Sequence, residues 1–294
     1  MEIRVLKYFL AVAREESILK AAETLHITQP TLSRQLMDLE QELGKKLFTR
    51  GSRRITLTED GILLRRRAEE IIELIGKTEN EIRTSDDNLS GDIYIGAGET
   101  EVMSCIAKLT KDIQNNYPDI HYHIFSGNEE SVSERLDKGL IDFGILIDPK
   151  NIAKYEYVRL PQKDKFGVIM RKDSPLAENS ALKRKDLWNV PLIMSAQVMD
   201  DEKVVEAMLG RKTEQLNITA TYNLIYNASL LAEAGLGYVV GLDRLVNTSG
   251  GGKLCFKPIE PPFVVQPYVV WKKNHVFSKA AELFMSKLQE EFTE

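Results

Sequence analysis

The chain has 294 residues, 43% hydrophobic and 28% charged, with a formal net charge of −5. That is enough for two or three domains with proper cores, in an ordinary globular composition. No apolar run approaches the roughly 18 residues of a membrane span, and Met1 leads into an amphipathic segment rather than a signal peptide, so we expect no membrane partner and a cytoplasmic location. Cys105 and Cys255 are far apart and lack metal-ligand spacing. They read as buried small hydrophobes in a reducing cytoplasm rather than as a disulfide or redox pair. The charge is uneven: residues 1–66 hold 12 Lys and Arg against 9 Asp and Glu, a net of +3, which leaves −8 for the rest. A basic head on an acidic body suits nucleic-acid binding through the head alone.

Leu6, Phe9, Leu10 and Ala13 give a first helix its apolar stripe. Ile18, Ala21, Ala22 and Leu25 then fall at i, i+3, i+4 and i+7, with Ser17 placed as N-cap. A short turn follows. Leu32, Leu36, Leu39 and Leu43 define the next helix, capped by Thr28, with Pro30 tolerable in its first turn and Gly44 as its stop. Two short helices packed through small residues, the second showing Thr31, Ser33 and Arg34 outward, describe a helix-turn-helix whose second helix enters a major groove. An ordinary pair of core helices would show the same polar face, so the flanks decide. Lys45 to Thr58 carries five basic residues and no acid, with Ile55 and Leu57 alternating as in a hairpin tipped by Gly51-Ser52. Beside a helix-turn-helix, such a hairpin is a wing for DNA backbone or minor groove.

Thr58-Glu59-Asp60 opens a long helix, its acids suited to the positive end of the dipole. Leu64, Ala68, Ile71, Ile75, Thr78 and Ile82 form a coiled-coil-like seam along it, for a second copy of the chain or for packing on its own domain. Ser85 to Gly91 is polar and turn-rich and marks a boundary. Beyond it strands and helices alternate: strands at 93–95, 121–125 and 143–147, with helices around 102–113 and 132–136. A second set has strands at 166–170, 192–194, 218–221 and 238–241, and helices near 182–188, 202–209 and 224–234. A strand at 268–271 and a helix at 280–288 close the chain. The alternation predicts mostly parallel sheets covered by helices. Gly250-Gly251-Gly252 reads as a turn, without the context of a phosphate loop.

The chain resembles the LysR-type transcriptional regulators. The specific match is the head, where Phe9 to Ala13, Ser17, Ala21-Ala22, Leu25, Thr28-Gln29-Pro30, Leu32 to Gln35, Leu39-Glu40, Leu43-Gly44, Leu47-Phe48, Arg50, Arg53, Leu57-Thr58 and Gly61 stand in register with that family's DNA-binding domain. In the body, Leu136 to Ile145 is similar to the family's helix–strand junction. The resemblance implies an α/β protein: a winged helix-turn-helix over 1–58, a linker and dimerisation helix with hinge over 59–90, and a periplasmic-binding-protein-like effector domain over 91–294. Its lobe one would take 91–161 and 267–294, and its lobe two 162–266. It also implies a homodimer or tetramer on double-stranded DNA, switched by a small molecule between the lobes.

Candidate DNA contacts are Gln29, Pro30, Thr31, Ser33 and Arg34 at the groove, with Arg50, Arg53 and Arg54 on the wing. Open α/β sheets bind ligands at the C-terminal ends of strands. The effector candidates are therefore Glu99, Thr100, Ser126, Gly127, Asn128, Ser195, Gln197, Tyr222 and Asn223. A helix start at Thr100 would offer N–H groups to an anion, whereas Glu99 would repel one and favour an amino-acid-like ligand; Glu99 could equally be solvated. The effector is thus unidentified, amino-acid-like or carboxylate in character. The histidines are His26, His121, His123 and His275; His121 and His123 share a strand face and could bind metal, but without Cys, Asp or Glu at ligand spacing beside them they read as surface or satisfied strand residues. With no nucleophile motif, no catalytic residue, metal or cofactor is expected. A solute-binding module whose head makes only protein contacts is the alternative.

Overall fold

A computed structural model of the chain describes residues 1–50, 54–83 and 89–292. They form two compact units, Met1–Arg83 and Thr84–Glu294.

In the first unit, α1 (Ile3–Glu15), α2 (Ile18–Thr24) and α3 (Gln29–Leu43) pack around a common core. α1 buries Val5, Leu6, Phe9 and Val12, α2 buries Ala21 and Ala22, and α3 buries Leu32, Leu36 and Leu39. Two adjacent alanines let the α2 backbone approach its neighbours closely. The Ser17 hydroxyl accepts the Lys20 N–H, and the Thr28 hydroxyl accepts the Thr31 N–H, each at 3.4 Å. Gly44, at φ +64°, ends α3. β1 (Phe48–Arg50) and β2 (Ile55–Leu57) pair antiparallel, Phe48 opposite Leu57. The expected tip at Gly51-Ser52, with Arg53, lies outside the described residues, as does most of the expected boundary at 85–91. α4 (Glu59–Arg83) follows, its Gly61 N–H donating to the Thr58 hydroxyl at 3.0 Å.

Glu40 joins α3 to the hairpin. Its Oε1 accepts the N–H groups of Leu47 at 2.8 Å and Phe48 at 3.3 Å, and its Oε2 pairs with the Lys46 ammonium at 2.7 Å. Burial pushes this carboxyl up, but the Lys46 bond and the two backbone donors outweigh it and hold the pKa below its ordinary value. A depressed folded-state pKa gives stability that is fully present above the unfolded-state pKa and lost as pH falls through the folded one. Glu40→Gln should therefore destabilise the first unit by about 1–2 kcal/mol at neutral pH, with the difference from wild type shrinking in acid. Amide hydrogen exchange of the first unit against pH checks this; a difference that is flat with pH refutes it.

In the second unit the order is β3 (Gly91–Ala97), α5 (Met103–Asn116), β4 (Ile120–Ser126), α6 (Glu129–Asp137), β5 (Phe143–Ile147), β6 (Tyr155–Arg159), β7 (Asp164–Arg171), β8 (Leu182–Lys183) and β9 (Leu192–Ser195). Then come α7 (Ala196–Met199), α8 (Glu202–Leu209), β10 (Ile218–Tyr222), α9 (Ile225–Glu233), β11 (Tyr238–Leu242), β12 (Leu254–Glu260), β13 (Val264–Val265), β14 (Pro267–Lys272) and α10 (Lys279–Phe292). One sheet runs β4-β3-β5-β14-β6; the other runs β10-β9-β11-β7-β12-β8, with β13 on β7.

The expectation of mostly parallel sheets is corrected. β3 is parallel to β4 and β5, but β14 returns from the other sheet and runs antiparallel to β5 and β6. In the second sheet β7 is antiparallel to β11, β12 and β13. The helix expected near 182–188 is also replaced. β8 pairs parallel with β12, and a 3-10 turn (Arg184–Leu187) follows. The Asp186 carboxylate accepts the Lys183 N–H at 2.9 Å and closes the turn before a second helical turn can form. β6, β12 and β13 were not anticipated at all.

Each sheet has its own core. In the first, Phe143 is fully buried against Trp271, Phe277 and Phe284, and α10 covers β3 with Ala280, Ala281, Phe284 and Leu288. The second core centres on Val168, Met170, Leu192, Met194, Val205 and Met208. The chain crosses between sheets after β6 and again before β14. Buried Gln266 ties the crossings, its amide donating to the carbonyls of Leu160 at 2.6 Å and Pro267 at 3.0 Å.

Candidate functional site

On α3, Gln29, Pro30, Thr31 and Arg34 are exposed and Ser33 is half-buried, on the face opposite Leu32, Leu36 and Leu39. Thr31 Oγ1 lies 2.8 Å from Thr28 Oγ1, which fixes its rotamer at the start of the helix. The Arg34 guanidinium has no ion pair or hydrogen bond among the described residues. Met37, 55% exposed one turn further on, extends the same face and was missed because an outward methionine carries no polar signal. On the wing, Arg54 pairs with Glu16 at 3.3 Å, both ends exposed. A surface pair of that kind is worth little and can exchange for a phosphate. Arg50 ends β1, its side chain outside the described residues, as is the whole of Arg53.

Along α4, Ala68 is fully buried in the first unit's own core and Leu64 packs against it. These two positions of the expected seam are thus spent within the chain. Ile71 and Ile82 are 36% and 78% exposed, Thr78 is exposed and Ile75 half-buried; Leu74, 41% exposed, was not anticipated.

Between the two sheets lies a cavity of about 220 Å³. Seven of the nine effector candidates meet there: Glu99 and Gly127-Asn128 from the first sheet, Ser195, Gln197 and Tyr222-Asn223 from the second. Gly127 has a packing reason, since a Cβ would sit 2.3 Å from Ser131 Oγ and 2.9 Å from the Phe125 ring. Asn128 Oδ1 caps α6 by accepting the Ser131 N–H at 3.0 Å. Gln197 Oε1 accepts the Glu129 N–H at 3.4 Å, a link across the cleft. The Tyr222 hydroxyl donates to the Val240 carbonyl at 2.8 Å, and burial, with the Glu99 charge as a lesser cause, pushes its pKa up. Tyr222 is therefore a neutral wall.

Two candidates are corrected. Ser126 is exposed at the end of β4 and does not line the cavity. Thr100 is buried, and its hydroxyl donates to Asp164 Oδ2 at the start of β7. Nor does a helix start there: the Val102 N–H goes to Thr100 Oγ1 and the Met103 N–H to the Thr100 carbonyl, so these donors are used before α5 begins. Asp164 has its pKa raised by burial, partly countered by Thr100.

Asp148 and Lys150 also line the cavity and follow β5, so the strand-end rule applied to β5 would have found them. Its apolar wall of Phe166, Leu242, Phe263 and Val265 left no signal, because it assembles from three separated strands and a crossing. His123 sits 3.1 Å from Asp92 and stacks on Tyr94, a satisfied edge-strand histidine. Among the described residues no group of three or more His, Cys, Asp or Glu could hold a metal.

Residues 3–62 match the family description "Bacterial regulatory helix-turn-helix protein, lysR family", and residues 86–293 match "LysR substrate binding domain". The chain belongs to the LysR family of transcriptional regulators. It is 26% identical over 280 residues, 95% of this chain and 91% of the relative, to the uncharacterized HTH-type transcriptional regulator YfeR of Shigella flexneri. The fold matches CbnR, a LysR family transcriptional regulator, at TM-score 0.80 and 20% identity over 100% of both chains. It matches full-length CbnR complexed with its target DNA at TM-score 0.79 and 21% identity over 99% of both. This LysR-type regulator thus carries a DNA-binding helix-turn-helix and an effector-binding domain.

Proposed function

We propose that residues 1–58 read promoter DNA through the exposed face of α3, that 59–90 link and dimerise, and that 91–294 bind a small effector between lobes 91–161 with 267–294 and 162–266. The observation that carries the reading is the outward α3 face: Gln29, Thr31 and an Arg34 without a partner among the described residues, on a helix locked from behind by Leu32, Leu36 and Leu39. Gln29 and Arg34 suit base edges, and Arg54, with Arg50 and Arg53, suits the backbone or minor groove. Dimerisation uses Ile71, Leu74, Ile75, Thr78 and Ile82 of α4, of which all but the half-buried Ile75 are exposed in one chain. The cleft binds its ligand and does not transform it, and the protein works in the cytoplasm; no helix among the described residues is long and apolar enough to cross a membrane.

Duplex binding at physiological salt tests the reading. Wild type should prefer promoter-like over scrambled duplex, and Arg34→Ala should lose about 1–3 kcal/mol at one base position and relax specificity there. A head that makes only protein contacts would show no sequence preference. A uniform loss with a shallower salt slope would reassign Arg34 to phosphate.

A further inference from the structure

The Glu99 carboxylate, on the loop after β3, accepts the backbone N–H of Ile225 at 2.5 Å. Ile225 opens α9 in the other lobe, and the residue at that helix's N-cap, Leu224, has no side-chain acceptor to offer. The Leu224 N–H is taken by Asn223 Oδ1 at 3.0 Å. The first donor of α9 and its positive dipole end are therefore met by an anion reaching across the cleft. Helix starts hold free carboxylates by the same interactions. Here the chain supplies its own, and Glu99, Asn223 and Ile225 all line the cavity. The remaining charged lining residues are Glu129, Asp148 and Asp201 against one cation, Lys150.

We propose that Glu99 is a tethered substitute for an effector carboxylate. It fills the anion site at the start of α9, fastens the two lobes together, and restricts the effector to neutral or cationic molecules with an apolar body. The proposal rests on the reading of the cleft as the effector site. An anionic ligand meets two obstacles: it must displace Glu99 from the Ile225 N–H, and it then faces the displaced charge. A neutral or cationic ligand meets neither, and the phenyl walls of Phe166 and Phe263 accept its body.

Emptying the site tests this. Full-length wild type and Glu99→Ala, without DNA, are melted with propionate, with propionamide, and with chloride at matched ionic strength. Propionate at about 100 mM should raise the melting temperature of Glu99→Ala by about 2–4 °C over chloride, and leave wild type unmoved. Propionamide should move neither. Glu99→Ser serves as the second variant should the alanine variant not fold. Equal responses of wild type and variant to propionate, no response in a folded variant, or an equal response to propionamide would each overturn the proposal. Sequence-specific duplex binding by wild type is measured apart from this, so failure of the regulator reading and failure of the Glu99 proposal are told apart.

Discussion

Gly61→Ala is expected to abolish DNA binding while the second unit stays folded. A Cβ at position 61 would lie 2.1 Å from the Leu47 carbonyl oxygen and 3.1 Å from Leu57 Cδ2. That oxygen cannot retreat freely, because it accepts the Thr58 N–H at 3.0 Å and its peptide lies beside the Glu40 anchor. The first turn of α4 must lift off the hairpin, at a cost of about 3 kcal/mol. Gly44→Ala is the control: its φ of +64° is strained for alanine, but nothing lies within 4 Å of the added Cβ, so it should cost only about 1 kcal/mol. Duplex binding, with amide exchange in the first unit, measures both. Wild-type affinity in Gly61→Ala would show that the hairpin can slide on α4.

Phe143→Ala should be the most destabilising single truncation in the effector domain. Its ring is fully buried, with centroids 4.8 Å from Phe284, 5.1 Å from Phe277 and 6.2 Å from Trp271. Losing it removes one wall from three aromatic neighbours and costs about 3–5 kcal/mol. For a domain of this size the melting temperature should drop by about 10 °C. Trp271 fluorescence follows that transition from inside the cavity left behind, and a drop of under about 3 °C would mean that α10 has collapsed onto the gap.

The head was legible because its determinants are local. Ser17, Thr28 and Gly44 announce helix ends within four residues of the groups they satisfy, and Ala21-Ala22 announces a close approach. The sheets were less so. Strand directions depend on β14 returning from a distant part of the chain. β12 hides because its burial does not alternate and Pro258 lies within it. The α4 heptads showed which positions are apolar but not what covers them, so Leu64 and Ala68 joined a seam although they pack into the first unit's core. Seven of the nine residues chosen by strand-end reasoning line the cleft. It failed at Thr100, where one hydroxyl redirects the turn, and it could not show that Glu99 reaches α9.

The segment that forms the second sheet is inserted within the segments that form the first. The second sheet is built from an unbroken stretch between Asp164 and Val265, whereas the first waits for β14 and α10. The strands of the second sheet are all made once Val265 has been added, whereas Ile93, Ile95 and Phe143 share their core with Ala280, Phe284 and Leu288 near the end of the chain. The last residues made are therefore those that complete the first sheet's core.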